Sequence, residues 1–280
     1  MYFIIVITTI AVIVSPILFL LSLFNLSPQI GKPVTGWNSI IGSIITLVFG
    51  YFAFLLGTHL SQKWLRKSKL SALDLKIDKQ NMYYLLLGFV LGGVIIVVSV
   101  LLSWLMGWCK FIGFAWEYRS VNLIIPATLL LLFARIQPAL LEEVIFRGYL
   151  FQLLFDRYSV RITILISSLL FGLAHLTSMG NYPWWAAIIS AFLAGLLFAQ
   201  AYLLHKNLWL PIGIHYGWHI FGSLLNNTGV PVDKSIFIIS EISGPELLLP
   251  ASGGGASLFE LVGVGLVSII LCKLSIILNN

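Results

Sequence analysis

Two adjacent acids, Glu142 and Glu143, interrupt the apolar run Pro138-Ala-Leu-Leu-Glu-Glu-Val-Ile-Phe-Arg147-Gly-Tyr-Leu, with an arginine one helical turn beyond them. Ionisable side chains inside a hydrophobic segment are costly and mark a functional site by default. Three histidines belong with them: His175 in Leu170-Phe-Gly-Leu-Ala-His175-Leu, and His215 and His219, four residues apart. Carboxylates and imidazoles without a serine or cysteine nucleophile suit hydrolysis by an activated water. A carboxylate takes the proton as general base, and a histidine orients the water or shuttles the proton. Imidazole N–H groups can then hold the oxyanion that forms on an amide carbonyl, each worth roughly 3–4 kcal/mol in a dry site. Ser167, Ser168 and Ser190 lie in nearby apolar segments, but none has the strained turn or adjacent base of a nucleophile.

Each residue also has a purely structural reading. Glu143 and Arg147, four apart, could form a buried ion pair that lets a helix cross the bilayer. One arginine cannot neutralise two acids, which singles out Glu142. His175 alone would read as a packed core histidine, and His215 and His219 could simply tie helices together. Ala187, Ala191, Gly195 and Ala199, every fourth residue, read as a close helix contact with no chemistry of their own.

The elements that must position these groups are membrane helices. The chain of 280 residues is 59% hydrophobic and only 9% charged, more apolar surface than a water-soluble core can bury. Stretches of about 20 apolar residues, enough to cross roughly 30 Å of hydrocarbon, fall near 2–24, 38–58, 84–107, 121–140, 139–155, 162–178, 184–204, 207–226 and 258–277. The fourth and fifth abut at Pro138 and read as one bent helix, so the expected fold class is an all-α polytopic bundle of about eight spans, with nine as the alternative. The start Met1-Tyr2-Phe3 is uncharged and no Ala-x-Ala-like cleavage site follows, so the first span is expected to be retained.

Lys63, Arg66, Lys67, Lys69, Lys76 and Lys79 crowd one loop, which is expected to be cytoplasmic together with the N-terminus. Eight spans place Arg157, Arg161 and Lys206 on the same side, with Lys110 and Arg119 opposite. Trp64, Trp104, Trp108, Trp184, Trp185 and Trp209 fall near span ends, as interfacial tryptophans do. The net charge of +6 is thus a topology signal, and no nucleic acid partner is implied. Cys109 and Cys272 are expected to be free thiols. Residues 1–120 read as N-terminal transmembrane helices with a basic cytoplasmic loop, and 121–280 as a catalytic helical core plus a final span. The stretch from Asn227 to Ser257, with Gly253-Gly254-Gly255, reads as a solvated loop or a mobile lid. In this topology Glu142, His175 and His219 all lie about 20 Å from one membrane face, because each is thirteen or fourteen helical residues from a charged boundary residue.

Three motifs in order on separate helices resemble the CPBP family of intramembrane endopeptidases, the type II CAAX prenyl endopeptidase or Abi family. They are Glu-Glu-x-x-x-Arg (Glu142, Glu143, Arg147, in the context Phe146-Arg147-Gly148), Phe-x-x-x-His (Phe171, His175) and His-x-x-x-Asn/Asp, here His215 with His219 at the last position. The likeness covers about residues 121–226 and includes the Leu208-Trp-Leu-Pro-Ile-Gly-Ile lead-in to His215. It implies that Glu142 with His175 activates water, that Glu143 and Arg147 support the site, and that His215 with the residue at 219 forms an oxyanion pocket. The histidine at 219 departs from the family pattern. It keeps one donor on a larger ring and strengthens a zinc-dependent alternative in which His215, His219 and His175 or a glutamate hold the metal.

The sequence therefore points to an endopeptidase in a multi-pass membrane protein, expected in the plasma membrane of a bacterium. Its substrate would be a membrane-associated peptide or protein reached through lipid, and it would need no cofactor, with zinc as the alternative. A non-catalytic scaffold, an immunity protein or a transporter is the competing class. Transport would require a polar path to both faces and usually internal repeats, neither of which the sequence shows.

Overall fold

The computed structural model describes residues 2–26, 28, 37–67, 73, 75–177, 183–225, 236–242, 244–245 and 257–279. Gly253-Gly254-Gly255, most of the Asn227–Ser257 stretch and part of the basic loop lie outside these residues. The described helices are α1 (Tyr2–Leu23), α2 (Trp37–Ser61), α3 (Lys79–Leu105), α4 (Ala115–Tyr118), α5 (Val121–Glu143), α6 (Gln152–Phe155), α7 (Val160–Ala174), α8 (Trp184–His205), α9 (Trp209–Leu225) and α10 (Leu258–Asn279). The protein is an all-α membrane bundle. Five helices are long and apolar enough to cross a bilayer: Trp37–Trp64, Lys79–Leu105, Val121–Phe155, Trp184–His205 and Leu258–Ser275. Thr8–Leu23 and Val160–Ala174 are shorter apolar helices.

The abutting spans at Pro138 are one rod. Helix α5 runs through Pro126 and Pro138, passes into a π-helical stretch at Val144–Phe151, and ends in α6. A proline takes a donor out of the ladder and pushes the preceding turn open. Two tyrosines from neighbouring helices donate to carbonyls in that turn: Tyr216 Oη to Leu132 at 3.0 Å and Tyr51 Oη to Phe133 at 2.7 Å. The π stretch begins directly after the glutamate pair, a placement common at functional sites because the wider turn re-aims side chains.

Helix α3 starts five residues before its apolar stretch. Asp78, in extended conformation, accepts from Asn81 N at 2.9 Å and caps a polar first turn that hydropathy alone does not register. Helix α9 starts behind a similar device: Asn207 Oδ1 accepts from Trp209 N at 2.7 Å, and its Nδ2 donates to Asn81 Oδ1 at 2.6 Å. This ties the two helix starts together. Trp209 is buried there, 8% exposed, whereas Trp64 and Trp184 remain 61% exposed.

Helices α3 and α9 form the most extensive pair in the bundle. Each carries two glycines four apart, Gly88 and Gly92 facing Gly213 and Gly217, and the backbones touch: a Cβ on Gly88 would strike the Leu210 carbonyl, and one on Gly217 the Phe89 carbonyl. Small residues at this spacing let membrane helices meet at van der Waals distance. The strip on α8 does the same for α7, where Gly195 faces Ser168 and Gly172 faces the Ile188 carbonyl. Helix α10 packs on α3 and α8, while α5 packs on α9 and α2.

One feature departs from an all-helical reading. Cys109–Phe114 (β1) and Ile238–Ile242 (β2) form a two-stranded antiparallel sheet in which Cys109 faces Ile242 and Phe114 faces Ile238. Its partners are more than a hundred residues apart, and neither strand has a hairpin signal. Cys109 and Cys272 are both free.

The α3–α9 contact gives the first testable outcome. Gly88→Leu or Gly217→Leu should cost about 1–3 kcal/mol or more by forcing the backbones apart, read as a lowered unfolding temperature in detergent. Gly265→Leu, where an added Cβ meets nothing within 4 Å, should stay within about 0.5 kcal/mol of the wild type.

Candidate active site

Four helices bring the ionisable residues together: α5 with its π continuation, α7, α8 and α9. At the base is a fully buried group. Arg147 Nη1 lies 3.1 Å from both carboxylate oxygens of Glu143, with both side chains at 0% exposure. Arg147 Nη2 donates to the Gly195 carbonyl of α8 at 3.0 Å. The guanidinium also lies over aromatic rings, 4.5 Å from the centre of Phe171 and 5.2 Å from that of Phe198, an arrangement in which ring quadrupoles attract the cation. Glu143 Oε1 accepts a second hydrogen bond, from His215 Nδ1 at 3.1 Å. The i, i+4 ion pair read from the sequence is present, and His215 extends it into a three-residue network.

Glu142 is held differently. Its side chain is 24% exposed, and its Oε2 is buried without a hydrogen-bond partner. His175 Nε2 is 3.8 Å from that oxygen and His215 Nε2 is 3.9 Å away. Both distances are too long for a direct hydrogen bond but suit two bonds meeting at one intervening oxygen. The opposite nitrogens of the two rings are already committed: His175 Nδ1 donates to the Phe171 carbonyl at 2.8 Å and His215 Nδ1 to Glu143. These bonds fix ring orientation and direct the Nε2 of each ring toward Glu142.

The local backbone explains how His175 gets there. Helix α7 ends at this residue, whose φ of −86° and ψ of 0° lie in the sparsely occupied bridge region before a short 3-10 turn over His175–Thr177. The segment 162–178 is therefore a shorter helix that stops at the site. Phe171, one turn earlier, serves twice, through its carbonyl on His175 and its ring on Arg147.

His219 is the outlying member. Its ring centre is 4.7 Å from that of His215, its Nε2 is buried without a hydrogen-bond partner, and Arg135 and His175 are also close enough to act on it electrostatically. Among the described residues no three His, Cys, Asp or Glu side chains are grouped so as to hold a metal ion.

Some contributors carry no motif. Phe198 stacks on His215 at 4.8 Å with ring planes 17° apart and packs edge-on against Phe171. In sequence it is one phenylalanine in an apolar helix. Its only signal is its place beside the small-residue strip, between Gly195 and Ala199. The Gly195 carbonyl is similarly invisible. Glu260, near the start of α10, is tied elsewhere and accepts from Trp218 Nε1 at 3.1 Å.

The buried network sets a second outcome. Arg147→Leu should destabilise the protein by about 3–5 kcal/mol, since it leaves Glu143 without its cation. Combining it with Glu143→Gln, which removes the charge but keeps an acceptor for His215, should recover most of the loss in detergent unfolding. Equal instability of the single and double variants would assign the cost to lost packing.

Residues 124–221 match the family model described as type II CAAX prenyl endopeptidase Rce1-like. No match was found among curated proteins or among solved structures. The matched segment, about a third of the chain, contains Glu142, Glu143, Arg147, His175, His215 and His219, so the part of the chain that carries the site is similar to that family.

Proposed function

We propose that this integral membrane protein hydrolyses a peptide bond with a water held between Glu142, His175 and His215. The observation that supports the reading best is the unpartnered, buried Oε2 of Glu142 with two pre-oriented imidazole nitrogens 3.8 and 3.9 Å away. A water at the meeting point accepts nothing from the neutral Nε2 atoms and can give each of its protons to a base. Glu142 takes one proton as the oxygen adds to the substrate carbonyl carbon. The charge that develops on the carbonyl oxygen needs donors, and His219 Nε2, buried without a partner, is available on the same helix turn system as His215. When the tetrahedral adduct collapses and the C–N bond breaks, the proton held by Glu142, relayed by His175, passes to the departing amine.

In this scheme Glu143 and Arg147 touch no reacting atom. Glu143 holds His215 by its Nδ1, and Arg147 holds Glu143. The substrate is a peptide or protein segment at the membrane, and the partial exposure of Glu142 and His175, 24% and 23%, gives it a route to the water.

Glu142→Gln and His175→Ala should each lower kcat for peptide cleavage by at least about a hundredfold while the purified variants keep wild-type helix content and unfolding temperature. Cleavage that survives both substitutions would leave the protein as a scaffold that retains the fold. Excess chelator should leave wild-type cleavage unchanged. Abolition by chelator with restoration by added zinc would require the metal mechanism instead.

A further inference from the structure

Glu260 is a buried acid that the catalytic scheme leaves unused. It lies in the first turn of α10, 4% exposed, beyond the segment 124–221 that carries the family likeness. An ionisable side chain inside a membrane helix is costly and is kept where a defined partner uses it. Here the partner is Trp218 of α9, whose Nε1 donates to Glu260 Oε2 at 3.1 Å.

Both ends of this bond are placed by backbone contacts. Ser257 Oγ accepts from Glu260 N at 3.1 Å and lies 3.3 Å from Ser99 Oγ of α3, which caps the start of α10 against α3. One turn on, a Cβ on Gly263 would strike the backbone of Ile95, so α10 rests directly on α3 there. Helix α3 in turn touches α9 at the level of the tryptophan, where a Cβ on Gly92 would lie 2.7 Å from Trp218 N.

Trp218 and His215 are one turn apart on α9, and Phe198 of α8 packs against both. The Phe198 ring stacks on His215 at 4.8 Å, with planes 17° apart, and meets Trp218 edge-on at 6.4 Å. Gln200, two residues along α8, donates to the Ser268 carbonyl and to Cys272 Sγ. Helix α10 therefore holds the helix of Phe198 as well as the side chain of Trp218. His215 is hydrogen-bonded to Glu143 through Nδ1, and a bond at one ring atom leaves the ring able to tilt about it. The stacked face of Phe198 limits that tilt. Trp218 backs Phe198, and its bond to Glu260 selects one indole rotamer among several.

We infer that Glu260 is a positioning residue of the active site: by fixing Trp218 it keeps Phe198 against the His215 ring, and so keeps His215 Nε2 on Glu142. This rests on the hydrolytic reading above and makes the final span part of the working site.

The test compares Glu260→Gln, which keeps an oxygen for the Trp218 N–H, with Glu260→Leu and Trp218→Phe, which each remove one partner. On a fluorogenic farnesylated peptide, Glu260→Leu and Trp218→Phe should each lower kcat about tenfold with KM within about twofold of the wild type. The double variant should be no worse than either single one, because both break the same bond. Glu260→Gln should keep kcat within about threefold of the wild type. In protein with isotope-labelled histidine, the ring resonances of His215, assigned by their loss in His215→Ala, should move in Glu260→Leu and Trp218→Phe and stay in place in Glu260→Gln. That measurement needs no turnover, and Trp218→Phe carries it if Glu260→Leu does not fold. Unmoved His215 resonances, losses that multiply in the double variant, or a loss in Glu260→Gln equal to that in Glu260→Leu would overturn the positioning role. Moved resonances in a protein that cleaves no peptide would keep the link from Glu260 to His215 and overturn the hydrolase.

Discussion

A carboxylate in hydrocarbon must be neutralised, and the structure solves this at Glu143. Its two oxygens meet Arg147, one of them also meets His215, and Arg147 in turn reaches the Gly195 carbonyl and the faces of Phe171 and Phe198. One buried charge thus draws α5, α7, α8 and α9 to a single point. The neighbouring acid, Glu142, makes no direct bond through its Oε2, which lies 3.8 and 3.9 Å from the two histidines. On the proposed reading, stability and chemistry are divided between neighbouring residues of the same type by their surroundings alone.

The scaffold makes that division possible through close backbone approach. Gly88, Gly92, Gly213 and Gly217 let α3 and α9 touch without intervening side chains, which sets the rotation and depth of the helix bearing His215 and His219. Gly195 and Gly172 perform the same service for α7 and α8. The π stretch after Glu143 and the opened turn at Pro138, bonded by Tyr51 and Tyr216, interrupt an otherwise regular rod on both sides of the glutamate pair. Helices held this closely resist relative sliding, so the imidazoles stay aimed at Glu142 without loops to hold them.

Much of this was legible in the residues. Acids inside an apolar run, histidines at matching helical distances from charged boundaries and a four-residue period of small side chains each carry a strong local cost or spacing signal, and the structure brings Glu142, Glu143, Arg147, His175 and His215 together. Less legible were features whose cause is tertiary. Phe198 becomes part of the site because Arg147 and His215 arrive on either side of it. The pairing of Cys109–Phe114 with Ile238–Ile242 joins segments with no common local pattern. The polar first turn of α3 exists because Asp78 caps it, and hydropathy cannot register it. Helix α7 stops at His175, where its last turn gives way to the 3-10 conformation that presents the ring.

The central claim is that Glu142 and His175 act on one shared water, and the most direct test is a double-variant cycle on kcat. Measured for Glu142→Gln, His175→Ala and the two combined, a shared water expects strong non-additivity, with the double variant no more than a few-fold worse than the weaker single variant. Losses that multiply would show two groups acting independently and would contradict the account.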